Sequence, residues 1–476
     1  MLSLLGMPDR WQWKRPSTIY DLFIPKSMNQ TSSYLQGELP EGWLLVTADR
    51  LPAWMLSPFG ATWASNPTIC QLASAGLACD RVLIGTTDPA KTLREIALGH
   101  SDDQLTQSGK QDEKSGNQYQ KGDQVERVSG PLAAAEARGW NVTVVTDAEE
   151  QFSHFRTHFP NLNVVGVAPQ CPQTTVSAEE ESSCGNVLSA AIDEFKKSKT
   201  DLLWVHLGSL GVSWDAPQVW RDGFFDEDDP PPGNAAEIPD FAVTEKTDPD
   251  RVSTVRQIFA GELAHLDDWF GRLVATVSSR WQRFGMLLLG LRGIPLGLHG
   301  QVGVSSAEPA PYTELTHVPA ILVDPADRQA SQRYGGLLMP VDLGATVGEL
   351  IAGTDYPTTR SEPAEGTPSG LGRSIVQLLE GDVEKWHRGV RDRVYSVGSG
   401  GCAVTVANWS LVQPLTGPAK LFLKPDDYFE LSDVADRSRD VSKALADYLD
   451  ALFRRRSGAD SEPLPSVLLD EGTKRR

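Results

Sequence analysis

Two hydrophobic periods alternate along the chain. Short apolar runs predict buried strands at 43–48, 81–85, 142–145, 164–167, 202–207, 286–289 and 320–323. Between them, apolar residues recur at helical spacing. Residues 66–76 read as a helix, with Pro67 in the first turn and Gly76 as the stop. Further helices are expected at 92–98, 132–138, 152–159, 187–197 and 346–351. The longest spans 249–279, where Val255, Phe259, Leu263, Leu266, Phe270 and Leu273 share a stripe. Strand and helix in alternation predict an α/β fold, a doubly wound mixed sheet flanked by helices.

Polar stretches divide the chain. Residues 1–40 read as an N-terminal arm, 41–360 as the α/β domain, and 361–476 as a small C-terminal α+β subdomain entered through a linker at 361–372. That subdomain is expected to hold a helix at 372–379, strands at 403–406 and 409–412, and a closing helix at 441–454. Residues 101–130 are rich in Gln, Asp, Lys, Gly and Ser. Such a segment cannot bury enough apolar surface to offset its ordering entropy, so a disordered insertion is expected.

Composition narrows the function classes. Net charge is −19, from 44 basic and 63 acidic residues, which argues against nucleic acid and against an anionic membrane surface as partners. No apolar run is long enough to span a bilayer, and residues 1–16 lack the charge order of a signal peptide, so the reading is cytoplasmic. Five cysteines without compact spacing make no disulfide framework and no zinc motif; a Cys171–Cys184 pair stays open.

The strand at 43–48 delivers one carboxylate, Asp49, to the loop that follows it. Open α/β sheets bind ligands just outside the carboxyl ends of their strands, so Asp49 is the first candidate for chemistry.

Six blocks in order then resemble the sulfatase family of the alkaline phosphatase superfamily. They are Leu44 to Gly60, Asn66-Pro67 to Gly76-Leu77, Leu203-Trp204-Val205-His206-Leu207, Ala260 to Leu273, His317 to Val323, and Met339 to Leu343. The resemblance covers about 43–460 and implies an alkaline-phosphatase-like sheet with a C-terminal subdomain. It also implies sulfate- or phosphate-ester cleavage. In that family a divalent cation, usually calcium, polarises the ester, and a formylglycine made from Cys or Ser in Cys/Ser-x-Pro-x-Arg attacks it.

The positions that should carry this chemistry depart from the pattern. Asp49 matches the first metal-binding aspartate, but Arg50 follows where a second is common. Pro52 and Trp54 replace an arginine and an aspartate of the same loop. The nucleophile motif aligns with Ala90 to Arg94: Arg94 is retained, and Ala90 stands at the nucleophile. Thr86 and Thr87 are nearby hydroxyls that the family pattern does not use. Asp147 replaces a lysine, and Ser209-Leu210-Gly211 has lost a histidine. In the late metal block Leu291 and Arg292 replace both ligands, while Leu296-Gly297-Leu298-His299-Gly300 downstream is kept. By resemblance Asp49 is therefore a vestigial metal position, expected to pair with arginine.

Other residues have blander readings. His206 reads as a core histidine. His265, Asp267 and Asp268 share one helix and read as packing or surface groups before a metal patch. Trp54, Trp63, Trp204, Trp214 and Trp269 could stack on sugars, but core and rim packing suits most of them better. Lys424-Pro425-Asp426-Asp427 resembles a late block near the substrate face, and Asp226–Asp229 reads as a solvated loop.

The expectation is a sulfatase-like protein with an eroded site, non-catalytic and acting in binding or assembly. No cofactor is expected. Candidate partners are a sulfated or phosphorylated glycan, held by Arg50, Arg94 and Arg292 as an anion site, or an active sulfatase. The alternative is a sulfuric or phosphoric ester hydrolase using calcium and altered residues, with Thr86 or Thr87 as nucleophile.

Overall fold

The computed structural model describes residues 40–100, 130–304, 308–353, 372–453 and 464–469. The expected arm, except its last residue, most of the insertion and most of the linker lie outside the described residues.

The main sheet has eight strands: β1 (Gly42–Ala48), β2 (Leu77–Leu83), β3 (Val142–Thr146), β4 (Leu162–Gly166), β5 (Leu202–Leu207), β7 (Phe284–Gly290), β9 (His317–Val323) and β10 (Gln332–Leu338). Two-residue strands β6 (Phe241–Ala242) and β8 (Gln301–Val302) pair beside it. The order is β10-β2-β9-β7-β1-β5-β3-β4, with β9 alone antiparallel to its neighbours. The carboxyl ends of β1, β2, β5 and β7 therefore lie on one edge.

β1 is central and wholly buried, as parallel strands covered on both faces are. Its side chains divide by the strand's period of two. Leu44 and Val46 pack with Phe259, Leu263 and Phe270 of the 32-residue helix Pro249–Arg280. Trp43 and Leu45 pack on the opposite face with Leu93, Ile96, Leu343 and Val347. This is the doubly wound arrangement expected.

The C-terminal unit is a four-stranded antiparallel sheet: β11 (Arg393–Gly398), β12 (Gly401–Val406), β13 (Trp409–Pro414) and β14 (Lys420–Leu423). Helix Arg439–Phe453 packs on it through Val441, Leu445 and Leu449. Ile375, Leu378 and Leu379, sequentially past the expected linker, pack in the core of the large sheet. The second strand is longer and starts earlier than expected, at Leu77. Its polar Asp80 and Arg81 are consumed by contacts: Asp80 pairs with Arg333, and Arg81 donates to the carbonyls of Val406 and Ala407.

Candidate functional site

Four strand ends converge on Asp49. It follows β1, Arg292 lies two residues past β7, Thr87 lies in the loop after β2, and Gly211 lies in the turn after β5. A further charged residue, Glu308, comes from the connection ahead of β9.

Arg292 meets Asp49 bidentately, Nε to Oδ1 at 2.8 Å and Nη2 to Oδ2 at 3.1 Å. Its Nη1 donates to the Thr87 carbonyl at 2.9 Å and to Glu308 Oε1 at 2.8 Å. Glu308 Oε2 accepts from Thr87 Oγ1 at 2.7 Å and from Ser399 Oγ at 3.4 Å. The side chains of Asp49, Arg292 and Glu308 are only 11%, 15% and 16% exposed. Burial alone would lower the Arg292 pKa, but Asp49 and then Glu308 outweigh it and raise it above the ordinary arginine value.

Arg50 is less well served. It has a left-handed backbone, φ 58°, which a side chain beyond glycine adopts at a cost. Its Nη1 makes one long bond to the Gly293 carbonyl, 3.4 Å, and Nη2 stands 3.9 Å from Glu308. Its buried Nε has no hydrogen-bond partner among the described residues. Burial and then Arg292 lower its pKa. Gly211 makes room for it: a Cβ there would lie 2.9 Å from Arg50 Cγ and 3.5 Å from Asp49 Oδ2.

The edge is roofed by the C-terminal sheet. Val397 bridges the loop after β2 in parallel, accepting from Thr87 N at 3.0 Å and donating its own N–H to the Gly85 carbonyl at 3.0 Å. The turn after Val397 brings Ser399 to Glu308. One residue beyond Gly211, Val212 helps line a cavity of about 410 Å³ with Cys171, Gln173, Ser213 and Glu237.

The motif residues are placed as follows. Ala90 sits in the first turn of helix Pro89–Leu98, its N–H capped by Asp88 at 3.0 Å. Its methyl offers no nucleophile. Thr86 Oγ1 accepts from Asp88 N in a turn, at 3.2 Å. Arg94 is half-buried one turn along the same helix. Leu291 is fully buried in the core, its N bonded to Ala48 O at 2.9 Å. Asp147 accepts from Gly208 N at 2.7 Å; burial raises its pKa against that bond.

Of the three arginines of the expected anion cradle, Arg292 and Arg50 both reach Glu308. All three Arg292 nitrogens are engaged by this chain's own oxygens, so Arg292 presents no unspent fork to an external sulfate or phosphate. Nor do the residues fit a divalent cation beside Asp49. The guanidinium already spans both Asp49 oxygens, Arg50 adds a second positive charge, and like charges at such range repel strongly in a low dielectric. Among the described residues, no group of three His, Cys, Asp or Glu side chains could hold a metal.

The blander readings are resolved one by one. His206 Nδ1 lies 3.0 Å from Thr47 Oγ1, which also accepts from Trp204 Nε1 at 2.9 Å. Its Nε2 is buried with no partner among the described residues, and burial pushes its pKa down to about 4, so the ring is neutral. Asp267 caps helix Pro67–Ala75 from outside, accepting from Thr68 N at 2.9 Å and Ile69 N at 2.8 Å. His265 Nε2 meets Ser182 Oγ at 2.7 Å, and Asp268 pairs with Arg272. Trp204, Trp214, Trp54 and Trp269 are buried, and Trp63 alone of the five is exposed, at 46%. Asp226 and Asp229 close an exposed turn, Asp226 N donating to Asp229 Oδ2 at 2.9 Å. Lys424 turns inward rather than towards the site: it is buried, 3.2 Å from Glu430, and donates to the Asp427 and Tyr428 carbonyls. The cysteines described are free thiols, Cys171 exposed and Cys184 buried.

Sequence reasoning missed Glu308. It lies in a Ser-, Ala- and Pro-containing connection with no periodicity, and no motif marks it.

No protein-family model matches the chain, and no curated protein matches it by sequence. Solved structures do match its fold. The phosphonate monoester hydrolase of Agrobacterium radiobacter superposes with a TM-score of 0.59 at 14% identity, covering 87% of this chain and 96% of that one. A 2-O GAG sulfatase gives 0.59 at 16% identity, over 90% and 95%. The phosphonate monoester hydrolase of Silicibacter pomeroyi gives 0.60 at 13%, over 88% and 96%. The fold is thus that of these sulfatases and phosphonate monoester hydrolases. No helix among the described residues is long and apolar enough to cross a membrane.

Proposed function

We propose that this chain is a non-catalytic protein on the sulfatase fold, acting through binding or assembly. The observation that carries this reading is the bidentate Arg292–Asp49 contact. It places a fixed cation on the one carboxylate retained from the metal-binding loop. Ala90 and Leu291 support it, since neither side chain can attack a sulfur or phosphorus centre or hold a cation. Candidate partners are an active enzyme of the same fold or a sulfated or phosphorylated glycan. Such a glycan would have to dock outside the Arg292 fork, because that fork is already engaged.

One observation favours a second reading, an ester hydrolase with altered residues. Thr87 Oγ1 donates to Glu308 Oε2 at 2.7 Å, the geometry of a nucleophile beside a general base. An assay on aryl sulfate, aryl phosphate and an aryl phosphonate ester separates the two. The non-catalytic reading predicts no rate above buffer, with or without calcium. A rate lost in Thr87→Ala and retained in Thr87→Ser would establish the hydrolase instead.

A further inference from the structure

Four oxygens from three segments surround the head of Arg292. Asp49 gives two from the end of β1, Glu308 gives Oε1, and Thr87 gives its carbonyl. Carboxylates and carbonyls are the donor set that hard cations take. The fork of contacts on Asp49 is the geometry a planar guanidinium takes. We infer that Arg292 is the resident cation of an oxygen socket: a tethered guanidinium fills a site that, without it, takes up a free guanidinium ion. The inference rests on the metal-independent reading above.

Charge balance supports it. Asp49 and Glu308 face Arg292 and Arg50, and Asp88 adds a weaker negative charge on Arg292. Without Arg292 the two carboxylates lose their closest cation, and Arg50 stands 3.9 Å from Glu308. Buried carboxylates short of a counter-charge recruit a cation, take up a proton or destabilise the fold. Arg50 is poorly placed to move over. Its backbone is left-handed and its Cγ is packed against Gly211.

The socket also has supports that do not depend on Arg292. Glu308 Oε2 is held by Thr87 Oγ1 and Ser399 Oγ. The Asp49 N–H donates to the Leu207 carbonyl at 2.8 Å, which fixes the end of β1. Truncating Arg292 thus removes the cation and leaves its acceptors in place.

The test uses the full chain with Arg292→Ala and Arg292→Gln. Thermal unfolding is followed in guanidinium chloride, calcium or magnesium at low millimolar concentration, with sodium chloride matched for ionic strength. Both variants should melt below the unsubstituted protein. Guanidinium should restore much of the loss saturably, as a ligand of the folded state does, and calcium should not. The unsubstituted protein should not respond, and adding Glu308→Gln to Arg292→Ala should abolish the rescue. A variant that melts like the unsubstituted protein would show that Arg50 has taken over, and would overturn the inference. So would a loss that guanidinium does not restore, failure of both variants to fold in its presence, or calcium stabilisation of the unsubstituted protein. Ester turnover by the unsubstituted protein would sink the non-catalytic reading while leaving the rescue result to stand or fall separately.

Discussion

Arg292 and Asp49 face each other across the carboxyl ends of two neighbouring parallel strands, β7 and β1, and meet through two contacts of 2.8 and 3.1 Å. Their register explains the meeting. Gly290 pairs with Ala48, so the residues one and two steps further on emerge side by side. Removing either partner leaves the other largely buried and short of its main counter-charge, at up to about 3–5 kcal/mol. Asp49→Ala and Arg292→Ala should each lower stability in denaturant titration, and the double variant should lose clearly less than the sum. Additive losses would mean the pair is not coupled.

Arg50 should behave differently. A left-handed arginine stores about 1–2 kcal/mol that glycine does not, and its contacts are long. Arg50→Gly is expected to change stability by less than about 1 kcal/mol. A loss as large as that of Arg292→Ala, measured in the same titration, would assign Arg50 the main counter-charge instead.

Asp267 holds helix Pro67–Ala75 in place of that helix's own cap, since the Asn66 side chain makes no capping bond. Asp267→Ala orphans two buried N–H groups and should cost about 1–3 kcal/mol. Asp267→Asn keeps an acceptor and should cost less. Equal losses in the two variants would show that the charge, not the bonding, matters.

Stability should peak near neutral pH. Burial lowers His206 to about 4, His265 to about 3 and His317 to about 4, from 6.5. The unfolded chain therefore binds more protons at these histidines below 6.5, and their contribution is lost as pH falls from there towards 4. Burial raises Glu262 to about 8 and Asp267 to about 7, from 4.5 and 3.8. The folded chain binds more protons at these acids, so their contribution is lost as pH rises from about 4 to 8. The opposed trends predict a melting temperature highest near pH 6.5, with an alkaline limb flattened by Glu262→Gln. A melting temperature still rising from pH 6.5 to 8 would refute the assignment.

The sheet was legible because its strands are short, continuous apolar runs, and β5 at Leu202–Leu207 matches the expected span residue for residue. β10 was not expected, because Gln332, Arg333, Gly335 and Gly336 interrupt its apolar pattern and it lies at a sheet edge. β14 is four residues long, too short to show a period. In the site, Asp49, Arg50 and Arg292 were marked by alignment to a motif. Glu308 was invisible because its role comes from where a loop of no regular period passes in space. The inward turn of Lys424 was hidden for a related reason: its partner Glu430 sits in the same irregular segment.

The central claim is that Arg292, and not a divalent ion, neutralises Asp49. The most direct measurement is the metal content of the full chain after equilibration with calcium and gel filtration. No stoichiometric calcium is predicted, in the unsubstituted protein or in Asp49→Ala. One calcium per chain that disappears in Asp49→Ala would contradict it.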